Sequence, residues 1–83
     1  MSNTQYLYAP AGVLYHARIR MGLTQKNAAA KVGVHPMSWW KWENGIQQPR
    51  GVNAKLLFDF LQRNGCLDLA RTCVMVTRDK KHK

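Results

Sequence analysis

The sequence predicts an all-α domain of four or five short helices, with a short C-terminal strand as an alternative at its end. Three observations predict it. Apolar residues recur at three- and four-residue spacing through most of the chain. Gly22, Gly33, Gly45 and Gly65 stand where the periodic stretches end, as glycine does at helix C-termini. Alanine and long-chain helix formers fill the stretches between. Its 83 residues make one domain. An apolar content of 46% is enough for a packed core rather than a disordered tail.

Residues 1–9 carry no charge and contain Tyr6, Leu7 and Tyr8. They read as a loosely attached arm or a short extended segment. Pro10 suits a first helical turn, where its missing N–H has no partner to lose. From Pro10 to Met21, Val13, Leu14, Ala17 and Met21 share one helical face, and Gly22 stops the helix. Thr24 is an N-cap for an alanine-rich helix from Gln25 to Val32, closed by Gly33. Pro36 opens a third helix that runs to Asn44, and Gly45 ends it. Residues Ile46 to Gly51 form a loop. Val52 to Asn64 is a strongly apolar helix with Ala54, Leu57, Phe58 and Leu61 toward the core. Residues 10–65 thus form the helical domain. Residues 66–77 leave two alternatives: a short helix from Leu67 to Val74, or a strand from Thr72 to Thr77. Residues 78–83 are a basic tail.

Thirteen Lys and Arg against four acids give a formal charge of +9. Such an excess repels itself and points to an anionic partner, nucleic acid first and an anionic membrane surface second. No apolar run is long enough to cross a bilayer, and MSNTQYLYAP lacks a charged start before an apolar stretch. A soluble, cytoplasmic protein is expected. Cys66 and Cys73 match neither a zinc knuckle nor a redox dithiol, so two buried thiols are expected. These cysteines and His16, His35 and His82 make no ligand set at metal-binding spacing. Neither metal nor cofactor is expected. The chain also lacks a nucleophile–base pair, paired acids or a phosphate loop, so it does not read as an enzyme.

The two helices at 25–32 and 36–44 are joined through Gly33, Val34 and His35, the spacing of a helix-turn-helix. Gly33 permits the tight reversal. Val34 points into the angle between the helices, and Ala29 is small enough for close approach. Trp39 and Trp42 fall on the core side of the second helix. Trp40 falls on the other side, facing either the groove or a partner interface, with the DNA side favoured.

From Leu14 to Leu61 the chain resembles the Cro/repressor type of helix-turn-helix domain found in phage and bacterial regulators, a lambda-repressor-like fold. The residues that carry the resemblance are Arg18, Gly22-Leu23-Thr24-Gln25, Ala29, Gly33-Val34, Trp42-Glu43-Asn44-Gly45 and Pro49. The resemblance implies a compact bundle of four or five helices whose third helix enters the major groove of double-stranded DNA. It places Gln25 at a phosphate, with the helix N-terminus behind it. It places Pro36, Met37, Ser38, Trp40 and Lys41 on the outer face of the recognition helix, with His35 at its cap. Lys41 can donate to guanine O6 or N7, and Met37 can pack on a thymine methyl. Asn44 matches a phosphate contact, and Arg50 a position near the backbone or minor groove. Arg18 and Glu43 match an ion pair that ties the first helix to the third. Lys26, in the first turn of the second helix, is a further phosphate candidate.

The sequence departs from the family pattern in three places. Ala28 stands where leucine is usual, and Trp39 where a smaller aliphatic residue is usual, so the indole at 39 fills the volume missing at 28. His35 replaces a hydroxyl or amide N-cap, leaving a less well capped helix. Pro36 and Met37 stand where hydrogen-bonding side chains are common, which leaves room for shape readout. The expected function is a repressor or autoregulator acting as a homodimer, with residues 72–77 as the dimer element, paired strand to strand or packed with Phe58 and Leu61. The alternative is an antitoxin-like or inhibitory module that binds another protein.

Overall fold

Glycine sets the reversals in the middle of the chain. Gly22 and Gly33 hold φ at 72° and 94°, in the left-handed region that disfavours side chains with a Cβ. The N–H groups of Leu23 and Val34 then reach back to the carbonyls of Arg18 and Ala29, at 3.0 and 2.9 Å, closing the preceding helices. The computed structural model describes residues 3–10 and 12–79. Its elements in order are β1 (Asn3–Tyr8), α1 (Val13–Met21), α2 (Gln25–Val32), α3 (Pro36–Glu43), α4 (Val52–Arg63), α5 (Leu67–Ala70) and β2 (Val74–Asp79).

The helices pack around Trp39, which is fully buried. Its ring lies 6.3 Å from that of Trp42 and meets Phe60 edge-on at 6.2 Å, a favoured aromatic arrangement. Leu14 and Ala17 of α1, Ala28 and Ala29 of α2, and Ala54, Leu57 and Leu61 of α4 complete this core. The alanines let the helix backbones come close to the large indole. Phe60, not Phe58, is the buried aromatic of α4; Phe58 is only partly covered. The two flank the Leu57–Leu61 stripe on opposite sides, and Trp39 packs on the Phe60 side.

Three local expectations are sharpened. First, α1 starts at Val13 rather than Pro10. The Pro10 carbonyl accepts the Val13 N–H at 3.1 Å, and Gly12 precedes the helix with φ 85°. Second, of the two readings of residues 1–9 the extended segment is the one found, over Asn3–Tyr8, and it is not loose. It pairs antiparallel with β2, setting Tyr6 opposite Val76 and Tyr8 opposite Val74. Leu7 is fully buried. A pairing between chain ends leaves no local signature, and only the apolar Leu7 between two tyrosines hinted at it. Third, the tail is shorter than expected, because Arg78 and Asp79 belong to β2; residues 80–83 lie outside the described residues. Helix and strand both occur in the preceding segment, one after the other.

Arg20 of α1 clips α5 in place with two hydrogen bonds to Asp68, at 2.8 and 3.0 Å. Those bonds hold the Asp68 carboxyl down at about 2.

Candidate nucleic-acid interface

The interface begins with two capped helices set at an angle. Thr24 accepts the Asn27 N–H at 3.0 Å and so caps α2. At α3, Pro36 occupies the first turn and His35 Nδ1 accepts the Met37 N–H at 3.0 Å. The expected weak cap at His35 is therefore corrected: an unprotonated Nδ1 is an acceptor like a hydroxyl or amide oxygen. Between the helices, Val34 packs against the core and Ala29 is fully buried.

The 3.6-residue period divides α3 into two faces. Trp39 and Trp42 point inward. His35, Pro36, Met37, Trp40 and Asn44 are exposed, Met37 at 52% and Trp40 at 41%. Ser38 and Lys41 are half-buried at the edges of this surface.

One carboxylate holds the arrangement. Glu43, at the end of α3, accepts hydrogen bonds from Arg18 Nε of α1, from Trp39 Nε1 one turn earlier, and from Gln25 Nε2 of α2 at 3.0 Å. Its side chain is 6% exposed. Burial pushes the Glu43 carboxyl up, but the hydrogen bonds from Arg18, Trp39 and Gln25 outweigh burial and hold it below its ordinary value. Arg18 is satisfied in turn. It also donates to the Leu23 carbonyl at 3.1 Å and stacks 5.2 Å over the Tyr15 ring.

A helix-turn-helix family model matches residues 14–65, from α1 through the end of α4. The chain belongs to the Cro/C1-type helix-turn-helix family. Comparison with curated proteins and with solved structures finds no match. The family match makes this a DNA-binding helix-turn-helix protein. The strands β1 and β2 and the short α5 lie outside the matched span.

In this Cro/C1-type domain the expected contact residues fall into two groups. Lys26, His35, Pro36, Met37, Trp40, Asn44 and Arg50 are exposed. Gln25, Ser38 and Lys41 are half-buried. Two expected phosphate ligands have internal partners. The Gln25 amide donates to Glu43, and the Asn44 amide donates to the Trp40 carbonyl at 2.8 Å. The backbone N–H groups that open α2 remain as the donors a phosphate needs there.

Sequence reasoning missed a polar notch of about 410 Å³ beside α3, lined by Ser38, Gln47, Arg50, Asn53 and Tyr6. Arg50 reaches it because its backbone bridges to Tyr6 of β1. The clustering of Gln47, Arg50 and Asn53 around Pro49 was the available signal.

Cys66 is buried and Cys73 half-buried, both as free thiols; burial pushes the Cys73 thiol up. Among the described residues no cluster of His, Cys, Asp and Glu could hold a metal ion. None of the described helices is long and apolar enough to cross a membrane.

Proposed function

We propose that this Cro/C1-type protein is a sequence-specific transcriptional regulator, a repressor or autoregulator, that reads operator DNA with α3 as a homodimer. One observation carries the reading: α3 exposes Met37 and Trp40, with Asn44 exposed at its C-terminal cap, while Trp39 and Trp42 anchor its other face. A helix so mounted fits a major groove. Lys41 is the base-reading residue, through guanine O6 or N7, and Met37 meets a thymine methyl. Lys26 and Arg50 hold phosphates and set the register, and Gln25 and Asn44, whose amides also have internal partners, lie beside them at the phosphate positions. His35, Pro36, Ser38 and Trp40 shape the surface between them. Arg18, Glu43, Trp39, Trp42, Ala29, Gly33 and Val34 position the helix and do not touch DNA.

One small domain contacts few base pairs, so tight reading calls for two copies on half-sites about 34–36 Å apart. The +9 charge supports the same ligand, because phosphate neutralisation supplies much of the affinity and makes it salt-dependent. Fluorescence anisotropy on duplex DNA tests the reading. Affinity is expected to fall steeply between about 50 and 200 mM salt, and Lys41→Ala to relax preference at one base-pair position. Salt-independent binding, or no binding, would refute it.

A further inference from the structure

The outward face of α3 is apolar where it stands furthest from the core. Trp39 and Trp42 point inward, so the helical period turns Trp40 the other way. Pro36 and Met37 lie four and three residues before it, on the same face. All three are exposed, and Ser38 and Lys41 are half-buried beside them. A large indole and a thioether left together in solvent make a contact surface.

The polar side chains at the two ends of this strip are turned onto the helix itself. His35 Nδ1 accepts the Met37 N–H at 3.0 Å, and the Asn44 amide donates to the Trp40 carbonyl at 2.8 Å. The strip between them has little to offer a hydrogen-bonding partner. Proline has no side-chain donor or acceptor, methionine only a weak acceptor, and the indole one donor and no acceptor. The exocyclic amines of adenine and cytosine, both donors, find no strong acceptor there. Among the groups on a major-groove edge, the methyl on pyrimidine C5 is the one that suits such a strip.

We infer that Trp40 and Met37 together read C5-methyl groups, so that 5-methylcytosine is a ligand of this helix as well as thymine. This rests on the operator-reading role of α3 proposed above, and it makes Trp40 a specificity-determining residue. The occupant is duplex DNA because the strip is continuous with the basic surface around it. Lys41 borders it, and Ser38 opens into the notch that holds Arg50. Thymine and 5-methylcytosine carry the same methyl at the same place on the groove edge. Apolar burial does not tell them apart at that carbon. The flat indole covers a methyl, and the flexible thioether adapts to its position. Methylation of a cytosine under the strip therefore tightens binding.

Matched duplexes test the inference by fluorescence anisotropy on the full chain. The best-enriched duplex from a random pool is remade with uracil for thymine, one position at a time. At each position that responds, 5-methylcytosine is then compared with cytosine, both paired to guanine. Thymine is expected to bind about four-fold tighter than uracil for each contacted methyl, the effect of burying one apolar carbon. 5-Methylcytosine should exceed cytosine by the same factor. Trp40→Ala and Met37→Ala should each shrink both ratios, with far-UV circular dichroism unchanged because both side chains are exposed. Lys26→Ala should weaken every duplex and preserve the ratios. Equal binding within either matched pair, or ratios that survive in both Trp40→Ala and Met37→Ala, overturns the inference and leaves operator reading by α3 standing. A wild-type chain with no preference among duplexes overturns both.

Discussion

Arg18 and Glu43 stand 25 residues apart and meet at the junction of α1 and α3. Their side chains are 13% and 6% exposed. Because Glu43 also accepts from Gln25 and Trp39, one carboxylate fixes three helices relative to one another. The angle that presents α3 depends on it. Taking both charges out of water costs desolvation energy that offsets much of their attraction. Removing one partner, however, strands the other.

Glu43→Ala is therefore expected to cost about 3 kcal/mol. In a domain of this size that lowers Tm by roughly 10 °C or more in thermal denaturation followed by circular dichroism. A Tm within a degree or two of wild type would show that the cluster is not structural.

Acid should reveal the same carboxylate. The Glu43 and Asp68 carboxyls are both held below their ordinary values in the folded protein. The unfolded chain therefore takes up protons first as pH falls. Their contribution is fully present above the ordinary carboxylate range and is lost as pH drops through it, for Asp68 down to about 2. Tm should hold steady near neutrality and decline below about pH 5. Asp68→Asn should make the lowest part of that decline shallower; an unchanged acid profile would remove the Arg20–Asp68 clip from the account.

Lys41 and Lys26 should differ in kind. Lys41→Ala is expected to cost about 1–3 kcal/mol on the preferred duplex and to relax choice at one base pair. Lys26→Ala should weaken all duplexes alike and reduce the salt slope by about 1. Equal effects on every sequence from both variants would mean that Lys41 holds only phosphate.

The helical part of the chain was legible because its signals are local. Gly22 and Gly33 marked the reversals, Thr24 the cap, and Arg18, Gln25 and Glu43 a set of residues at fixed separations. The sheet was hidden because β1 and β2 lie at opposite ends of the chain, and neither has a turn residue to announce its partner. His35 was misjudged as a cap because its acceptor nitrogen is less common there than an oxygen. Gln25 was assigned to phosphate by position alone, and its hydrogen bond to Glu43 could not be read from spacing.

Ala28 and Trp39 offer a test of the core. Both are fully buried in one cluster. Trp39→Leu should leave a cavity and cost about 2–4 kcal/mol, and Ala28→Leu should overpack and cost about 1–3 kcal/mol. The double variant should be more stable than their sum, as chemical denaturation would show. Strict additivity would mean that the two sites do not share volume.

The central claim is that the exposed face of α3 reads base edges. Selection from a random duplex pool at physiological salt, run in parallel with wild type and Lys41→Ala, tests it most directly. The account predicts a two-fold symmetric consensus for wild type, with half-sites about one helical turn apart, and loss of one guanine position in the variant. Identical consensus sequences from the two proteins, or no enrichment with either, would contradict it.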